Sequence, residues 1–339
     1  MSEITYEESL RLDNPVYVDV RSPVEFDEDH VPGAINLPIF SNDERREVGT
    51  LYKVVSREEA VRRGTEIGGK NIGGIINSLM EFKGREIVIY CARGGMRSGS
   101  VAALVNSIGI RTRRLLDGYK SYRRYVISGL ESIKIMPQLF VLQGLTGAGK
   151  TEILSYIQNS VDLEEMACHR SSVFGGIGLK PRGQKYFETL LLHRLHELEN
   201  EEYAVIEGES KKIGNLHIPE NIFTQMRSAP IIYIDTPLER RVEIIRKEYN
   251  RFHEHERVLA TVMSLKNRLG AAKTSELVNL YNSGRIDEFI EILLLDYYDS
   301  LYRYTLDTFE YSAVIRNLDS EKAAAETVEA VKAYLSKNR

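Results

Sequence analysis

The sequence predicts an α/β protein of two domains, each built on a parallel β-sheet. Its 339 residues fit about two domains of ordinary size. Short apolar runs, such as Ile87–Tyr90 and Met136–Val141, alternate with helical segments, as strands do when crossover helices join them. Both of these runs lead directly into glycine-rich loops. Because functional loops lie at the carboxyl ends of parallel strands, these two loops are the first candidates for function.

The chain is predicted to divide into four segments: a first domain over 1–126, a linker over 127–136, a second domain over 137–318 and a C-terminal helix over 319–339. A formal net charge of −4 is ordinary for a soluble globular protein. The two cysteines indicate no disulfide framework, which favours a reducing, cytoplasmic setting. No apolar run approaches the roughly 20 residues that a membrane helix needs, so we expect no membrane contact.

The first glycine-rich loop carries a cysteine and two arginines. Its residues 91–98 have the sequence Cys-Ala-Arg-Gly-Gly-Met-Arg-Ser, and a helix is expected from about Ser98 to Ser107. A loop at a helix N-terminus presents backbone N–H groups and the positive end of the helix dipole. We therefore expect Cys91 to be a largely ionised nucleophile. Arg93 and Arg97 add positive charge, so the same loop is predicted to bind an oxyanion.

A second cysteine and the segment between the two parts of the first domain are predicted to have structural roles. Cys168 has no glycine loop or partner cysteine nearby and is interpreted as an incidental thiol. Within Phe40–Lys83, Ser56 is a predicted helix N-cap with Glu59 at the capping-box position. The glycines beyond it predict a loop-rich cover over the sheet, with a flexible rim above the Cys91 loop as the alternative. These glycines are Gly64, Gly68, Gly69, Gly73 and Gly74.

Several separated motifs of this half resemble the rhodanese homology domain. They are Asp19-Val20-Arg21-Ser22-Pro23, Glu25-Phe26, His30–Asn36 and the Cys91 loop. The resemblance implies an N-terminal rhodanese-like domain in which Cys91 carries sulfur or a heavier relative. Five residues separate Cys91 from Arg97, whereas common sulfurtransferase loops hold four. Because Cys-dependent phosphatases share this longer spacing, a phosphatase remains an alternative.

The second glycine-rich loop satisfies the pattern G-x-x-x-x-G-K-[ST] between a predicted strand and a predicted helix. Its glycines allow the backbone to wrap a phosphate, its lysine adds a positive charge, and its threonine hydroxyl is placed to bind Mg²⁺. The sequence therefore predicts a P-loop NTPase-like α/β domain with a helical C-terminus. ATP, GTP or another diphosphate would satisfy the same physics. The predicted phosphate-binding residues are Gly144, Gly147, Gly149, Lys150 and Thr151, of which Thr151 is also the predicted metal ligand.

Two carboxylates follow the next buried strand of this domain. Glu207 and Glu209 end the segment Ala204–Ser210, where many P-loop proteins place an acid that orients metal or water. Residues two apart on an extended strand share one side, so these two acids are predicted to act together. A solvated strand end is the alternative.

The remainder of the second half is predicted to be a further strand followed by helices. Ile231–Pro237 is the strand, and the chain is predicted to be helical from Glu239 onward, ending in an exposed helix over Ser320–Arg339. The glycine-rich segment Ser171–Gly178 is a candidate substrate loop. Four tyrosines favour a helix core over a platform for base stacking. They are Tyr297, Tyr298, Tyr302 and Tyr304.

A cluster of basic residues lies where the two predicted domains join. Only Asp117 opposes its charge, and Tyr119, Tyr122 and Tyr125 are interleaved with it. Such a basic and aromatic stretch is a candidate RNA-binding surface, and an ordinary solvated linker helix is the alternative. Apart from Arg111, which belongs to the same stretch, the candidate RNA-binding residues are Arg113, Arg114, Lys120, Arg123 and Arg124.

Over most of its length, from Val16 to about Leu318, the sequence resembles the tRNA 2-selenouridine synthase family. The resemblance rests on the Cys91 loop, Gly144–Thr151 and the segment Glu207–Gly214. It implies a transferase that S-geranylates wobble 2-thiouridine in tRNA with geranyl diphosphate and then introduces selenium from selenophosphate. It also implies selenophosphate synthetase as a further partner, with Mg²⁺ as an optional cofactor and a role for nucleotide left open.

Two other interpretations of the whole chain remain. One is a Cys-dependent phosphatase or sulfurtransferase fused to a small-molecule kinase-like domain. The other is a binding module without catalysis, in which the P-loop senses nucleotide and the rhodanese-like domain binds a sulfur carrier.

Overall fold

The structure, a computed structural model, describes residues 2–249 and 254–338. Met1 and Arg339, at the outer ends of the predicted segments, lie outside the described residues. The chain forms two units. Unit 1 comprises Met1–Leu130 and Glu188–Leu190, and unit 2 comprises Glu131–Phe187 and Leu191–Arg339.

Unit 1 contains a five-stranded sheet whose strands are all parallel, in the order β1-β5-β4-β2-β3. This confirms the predicted parallel sheet. The apolar runs of the second and fourth strands are buried on both faces, as expected for strands inside a parallel sheet. The strands are β1 (Ser2–Ile4), β2 (Val16–Asp19), β3 (Ile35–Asn36), β4 (Ile87–Tyr90) and β5 (Thr112–Leu115).

Six helices accompany this sheet. Helix α4 is the longest, with 24 residues, and a π-helical segment at Leu51–Val55 precedes it. The helices are α1 (Tyr6–Ser9), α2 (Pro23–Glu28), α3 (Asn42–Thr50), α4 (Arg57–Met80), α5 (Met96–Ser107) and α6 (Tyr119–Ser132).

The prediction of a loop-rich cover was wrong, because the glycine-rich stretch lies inside α4. The predicted cap is present: the Ser56 hydroxyl accepts a hydrogen bond from the Glu59 backbone N–H at 3.1 Å. Ile67, Ile75 and Leu79 recur at helical spacing and are buried in the core of unit 1. Each interior glycine costs a helix about 1 kcal/mol relative to alanine. The burial of this apolar face offsets that cost.

Replacing an exposed glycine of this helix should stabilise the protein. Gly73→Ala should raise the free energy of unfolding by about 0.5–1 kcal/mol, because the added methyl group would meet no atom within 4 Å apart from the neighbouring residues and backbone of its own helix. Chemical denaturation measures the change. Gly68→Ala is the matched control: its methyl group would lie 3.2 Å from Ile39 Cδ1, so the gain should be absent. Destabilisation by Gly73→Ala would contradict a helix here.

Unit 2 contains a second parallel sheet, in the order β12-β11-β6-β8-β7. The strand that leads into the P-loop therefore lies at its centre, with the strand ending in Glu207 beside it. The strand at Tyr311–Arg316 corrects the expectation of continuous helix after Glu239. The strands are β6 (Gln138–Gly144), β7 (Ser160–Val161), β8 (Tyr203–Glu207), β11 (Ile231–Asp235) and β12 (Tyr311–Arg316); β9 (Lys212–Ile213) and β10 (Leu216–His217) form an antiparallel hairpin.

Helices make up most of the rest of unit 2. A π-helical segment at Leu293–Asp299 separates two of them. They are α7 (Lys150–Ser155), α8 (Leu163–Ala167), α9 (Gln184–Glu197), α10 (Glu220–Arg227), α11 (Leu238–Tyr249), α12 (His255–Ser264), α13 (Lys266–Asn282), α14 (Ile286–Ile292), α15 (Ser300–Leu306) and α16 (Ser320–Lys337).

The sequence predicts an exposed C-terminal helix, but one face of α16 is buried. Its residues Ala323, Ala324 and Val331 are buried in the same core as Phe140 and Leu142 of β6. Small side chains on this face allow the helix to lie close to the sheet. Among the described residues, no helix is both long enough and apolar enough to span a membrane.

Candidate functional site

Cys91 lies at the point where β4 ends and a short loop leads into α5. Its side chain is buried, and only 3% of the residue is exposed. The Ser98 hydroxyl, in the first turn of α5, donates a hydrogen bond to Cys91 Sγ at 3.2 Å. The strand end, the loop and the helix N-terminus thus occupy the arrangement that the sequence predicts. Ser98 is a polar partner of the sulfur to which the sequence analysis gave no role.

A glycine turn packs directly against the Cys91 loop. The Tyr119 and Lys120 backbone N–H groups donate to the carbonyl oxygens of Cys91 and Ala92 at 2.8 Å and 3.1 Å. Gly118 has a φ of +57°, and a Cβ there would lie 2.1 Å from the Cys91 carbonyl oxygen. Only glycine permits this close approach, so the turn fixes the backbone that carries the sulfur.

A buried network holds this turn in place. Arg21 forms an ion pair with Asp19 at 2.6 Å, and its guanidinium carbon lies 4.0 Å from the centre of the Tyr119 ring. The Tyr119 hydroxyl donates to Asp29 Oδ2 at 2.7 Å. Asp19 and Arg21 belong to the motif that carries the rhodanese resemblance. Their contacts show how that motif positions a segment that packs on the Cys91 loop.

The two arginines of the loop have different surroundings. Arg97 donates two hydrogen bonds to the Glu25 carboxylate, at 2.8 Å and 3.2 Å. Burial opposes ionisation of Glu25, but the charge of Arg97 and the neighbouring Arg45 lower the pKa of Glu25 to about 2. Arg93 is exposed and has no ion pair within the described residues. The charge of Arg97 is therefore already balanced, and Arg93 is the arginine whose charge is available to an anion.

The basic residues near the end of unit 1 have more acidic partners than the sequence suggests. Arg113 pairs with Glu86 at 3.0 Å and Arg124 with Asp117 at 2.7 Å. Arg114 pairs with Glu3, and Arg123 pairs with Glu188. Arg111 and Lys120 are exposed without an ion pair in the described part of the chain. The role of this stretch in RNA binding stays a prediction, supported most by the last two residues.

Removing the Ser98 hydroxyl should slow the reaction of Cys91 with electrophiles. A hydrogen bond to a charged group is worth about 1.5–3 kcal/mol, so Ser98→Ala should reduce alkylation of Cys91 by iodoacetamide at neutral pH by about tenfold. Peptide mass spectrometry measures the rate and separates Cys91 from Cys168. Ser100→Ala is the control, because the Ser100 hydroxyl donates to the Met96 carbonyl instead. Equal rates in Ser98→Ala and wild type would exclude a role for this bond.

The P-loop of unit 2 adopts a compact conformation that depends on its glycines. Gly147 and Gly149 have φ values of +77° and +81°. A Cβ on Gly147 would lie 2.8 Å from Ile245, and one on Gly149 would lie 2.9 Å from Asn317. Lys150 begins α7, and its Nζ atom donates to the Gly144 carbonyl at 3.4 Å. The residues predicted to bind phosphate are therefore brought together in one loop at a helix N-terminus.

Side chains from distant parts of the sequence hold the P-loop carbonyl groups. The Thr236 hydroxyl and the Asn317 amide donate to the Ala148 carbonyl at 2.9 Å and 2.8 Å. Arg241 Nε donates to the Thr146 carbonyl at 2.8 Å, and the same guanidinium pairs with Asp299 at 2.6 Å. Side chains behind the loop thus bind the Thr146 and Ala148 carbonyls, while within the loop the Ala148 N–H donates to the Leu145 carbonyl at 3.0 Å.

Three carboxylates gather beside this loop. Single oxygens of Glu164, Glu207 and Glu209 all lie within 4.8 Å of one another. Burial and the nearby Glu209 raise the pKa of Glu164 to about 8, and burial raises the pKa of Glu207 well above its usual value. Burial disfavours the charged form of Lys150, but these carboxylates raise its pKa overall.

Glu164 is the member of this group that the sequence analysis missed. It lies just after β7, the strand next to β8, and β8 ends in Glu207. A carboxylate near the carboxyl end of a neighbouring parallel strand was the available signal. The sequence does not predict the short β7, so it gives no reason to place Glu164 beside Glu207.

A cavity of about 1020 Å³ opens from the P-loop and the three carboxylates into an apolar chamber. Ser171, Phe174 and Ile177, from the predicted substrate loop, contribute to its wall. Of the four tyrosines, Tyr298 and Tyr302 line the cavity, whereas Tyr304 is 82% exposed. The P-loop and the carboxylates thus line one part of the cavity, and mainly apolar side chains line the rest, with Arg170, Arg246 and Glu248 also in the wall. Other apolar lining residues are Phe223, Val258, Phe289, Leu293, Leu294 and Leu301.

Comparison with known families agrees with both halves of the chain. The tRNA 2-selenouridine synthase AAA domain matches residues 137–334, and the rhodanese-like domain matches residues 5–125. The chain belongs to the tRNA 2-selenouridine synthase family. These two matches confirm the resemblance of the motifs to the rhodanese homology domain and to the tRNA 2-selenouridine synthase family.

Three relatives named tRNA 2-selenouridine synthase match this family member over nearly its whole length. The Pseudomonas syringae pv. syringae (strain B728a) protein is 33% identical, covering 87% of this chain and 90% of that protein. The Psychromonas ingrahamii protein is 31% identical, covering 88% and 90%. The Aeromonas salmonicida protein is 32% identical, covering 90% and 91%.

Proposed function

We propose that this protein converts wobble 2-thiouridine of tRNA into 2-selenouridine in two transfer reactions. In the first, geranyl diphosphate alkylates the sulfur. In the second, selenium from selenophosphate replaces the geranylthio group. Family membership supports the overall conversion. The division of the two reactions between the units rests on the geometry of their two loops.

The observation that carries the proposal is the two-ended cavity of unit 2. Beyond the P-loop, aliphatic and aromatic side chains form most of the cavity wall, with Arg170, Arg246 and Glu248 among its polar residues. A diphosphate with a branched apolar chain matches both ends. The volume of the cavity, about 1020 Å³, is at the upper limit of typical small-ligand sites, which span about 300–1,000 Å³. The P-loop therefore binds the diphosphate, and the apolar chamber binds the geranyl chain.

The first reaction needs a stabilised leaving group. The sulfur of 2-thiouridine attacks the first carbon of the geranyl chain, an S–C bond forms, and the C–O bond to diphosphate breaks. The electron pair of that bond leaves with the diphosphate. Lys150 and the N–H groups of the P-loop are placed to neutralise the charge that develops there. The apolar side chains of the chamber would exclude water and so protect the allylic chain from hydrolysis.

The second reaction is assigned to unit 1. Alkylation has turned the sulfur into a leaving group, so a selenium nucleophile can attack the C2 carbon of the base and expel geranylthiolate. Selenophosphate delivers the selenium directly: its selenium forms the bond to C2, and water then breaks the Se–P bond and releases phosphate. Cys91 belongs to the loop that binds this anion. The Cys91 loop has the helix N-terminus and the Arg93 charge that a tetrahedral anion needs. Selenophosphate synthetase is the proposed source of that anion.

Two single substitutions should each abolish one of the two reactions and leave the other intact. Lys150→Ala should abolish S-geranylation while tRNA that is already geranylated is still converted to 2-selenouridine. Cys91→Ala should leave S-geranylation intact and abolish the conversion of geranylated tRNA to 2-selenouridine. Nucleoside mass spectrometry after incubation with geranyl diphosphate, selenophosphate, both or neither measures each product. Lys332→Ala, an exposed lysine on α16, controls for loss of one positive charge.

The outcome for each variant decides the assignment. Loss of both reactions in Lys150→Ala, with the protein still folded, would contradict the division of labour. An unmodified nucleoside in every wild-type reaction would contradict the proposed function itself.

Filling the apolar chamber should impair the first reaction only. Leu301→Trp places a larger side chain in the half-buried wall of the cavity, so KM for geranyl diphosphate should rise by more than about tenfold, as expected for loss of apolar contacts worth 1.4 kcal/mol or more. Initial rates of S-geranylation measure it. Leu295→Trp is the matched control, because Leu295 lies in the same region, is 45% exposed and does not line the cavity. Equal effects of the two variants would rule out the chamber as the geranyl site.

A Cys-dependent phosphatase is the second candidate for unit 1. The observation that favours it is the combination of the five-residue spacing from Cys91 to Arg97 with the hydrogen bond from Ser98 to the sulfur. Hydrolysis of a phosphate ester by the full chain, lost in Cys91→Ser, would establish this candidate if the tRNA nucleosides also stay unmodified.

A further inference from the structure

Three carboxylates lie together beside the P-loop. Glu164, Glu207 and Glu209 each place one oxygen within 4.8 Å of the other two. Oxygen ligands bind Mg²⁺ at about 2.1 Å and Ca²⁺ at about 2.3–2.6 Å. Two oxygens on opposite sides of one ion are then about 4–5 Å apart. The three oxygens are therefore close enough for small side-chain movements to bring them onto one divalent cation.

The side chain of Glu207 provides an independent observation that points to a ligand of this cluster. The residue is fully buried, with 0% exposure. Its Oε2 atom accepts a hydrogen bond from the Glu164 backbone N–H at 3.0 Å. Its Oε1 atom has no hydrogen-bond partner among the described residues. An unpartnered carboxylate oxygen in the interior is costly, and a cation bound by the cluster would satisfy it.

Lys150 does not fill this role in the structure. Its ammonium group donates to the Gly144 carbonyl, and across the described residues it forms no ion pair with any of the three carboxylates. The Thr151 hydroxyl donates to Glu164 Oε2 at 3.4 Å. The predicted metal ligand of the P-loop thus contacts one of the carboxylates, and the carboxylates themselves are the stronger donors for a hard cation.

We propose that Glu164, Glu207 and Glu209 bind one divalent cation of the Mg²⁺ class, and that they bind it before any diphosphate enters the cavity. This differs from a metal that arrives with a phosphate ligand and depends on Thr151. The site deepens the proposed function, because the cation lies at the polar end of the same cavity. Its existence can nevertheless be measured without tRNA or geranyl diphosphate, so the two proposals are tested separately.

Binding of Mn²⁺ to the full chain, followed by electron paramagnetic resonance without any phosphate ligand, tests the site. Wild type should bind one ion. Glu164→Gln and Glu209→Gln should each weaken binding by more than about tenfold, since even the outer partners of metal ligands contribute about 10–100-fold. Glu165→Gln is the control: it removes the same charge from an exposed neighbouring residue whose side chain lies outside the cluster, and it should bind like wild type.

The possible results either support the site or overturn it. Circular dichroism tests whether each variant is folded. If Glu164→Gln does not fold, Mn²⁺ binding by Glu209→Gln alone tests the proposed site. The proposal is overturned if wild type binds no Mn²⁺ without pyrophosphate, or if folded Glu164→Gln and Glu209→Gln both bind like wild type. Metal binding in a protein that does not geranylate tRNA would leave the site standing and reject only the proposed function.

Discussion

The organisation of unit 2 depends on one buried ion pair, between Arg241 and Asp299. Arg241 lies on α11 and also donates to the Thr146 carbonyl of the P-loop, while Asp299 ends the π-helical segment whose side chains line the apolar chamber. The pair therefore connects the phosphate-binding end of the cavity to its apolar end. Breaking a buried pair from one side typically costs about 3–5 kcal/mol. The relative placement of the two ends is thus fixed before a ligand binds.

Features that depend on local sequence could be predicted. The strands before Cys91 and before the P-loop, and the helices after them, follow from apolar runs and from glycines that permit positive φ. The glycines of α4 misled the prediction because their local cost is set against burial of Ile67 and Leu79 on partners far away in the sequence. Strand β12 was missed for a related reason: its pairing with β11 brings together segments separated by a long helical region.

The site was predictable only in its local parts. The P-loop residues are contiguous, and Glu207 and Glu209 are two apart, so one motif or strand placed each group. Glu164 and the cavity wall join the site through strand order and helix packing, which one sequence does not contain. The basic stretch shows the same limit. Arg113 and Arg123 look unopposed along the chain, yet folding brings Glu86 and Glu188 to them.

The two loops balance charge in opposite ways, which suits the different reactions proposed for them. The Cys91 loop has an excess of positive groups, because Glu25 neutralises Arg97 and Arg93 remains available. An anion can enter it without help. The P-loop is bordered by three carboxylates, and Lys150 supplies only one positive charge against them. When these carboxylates are ionised they repel a diphosphate, and a cation bound to them removes that repulsion. A metal at the carboxylates would thus make the P-loop receptive to diphosphate, whereas the Cys91 loop needs none.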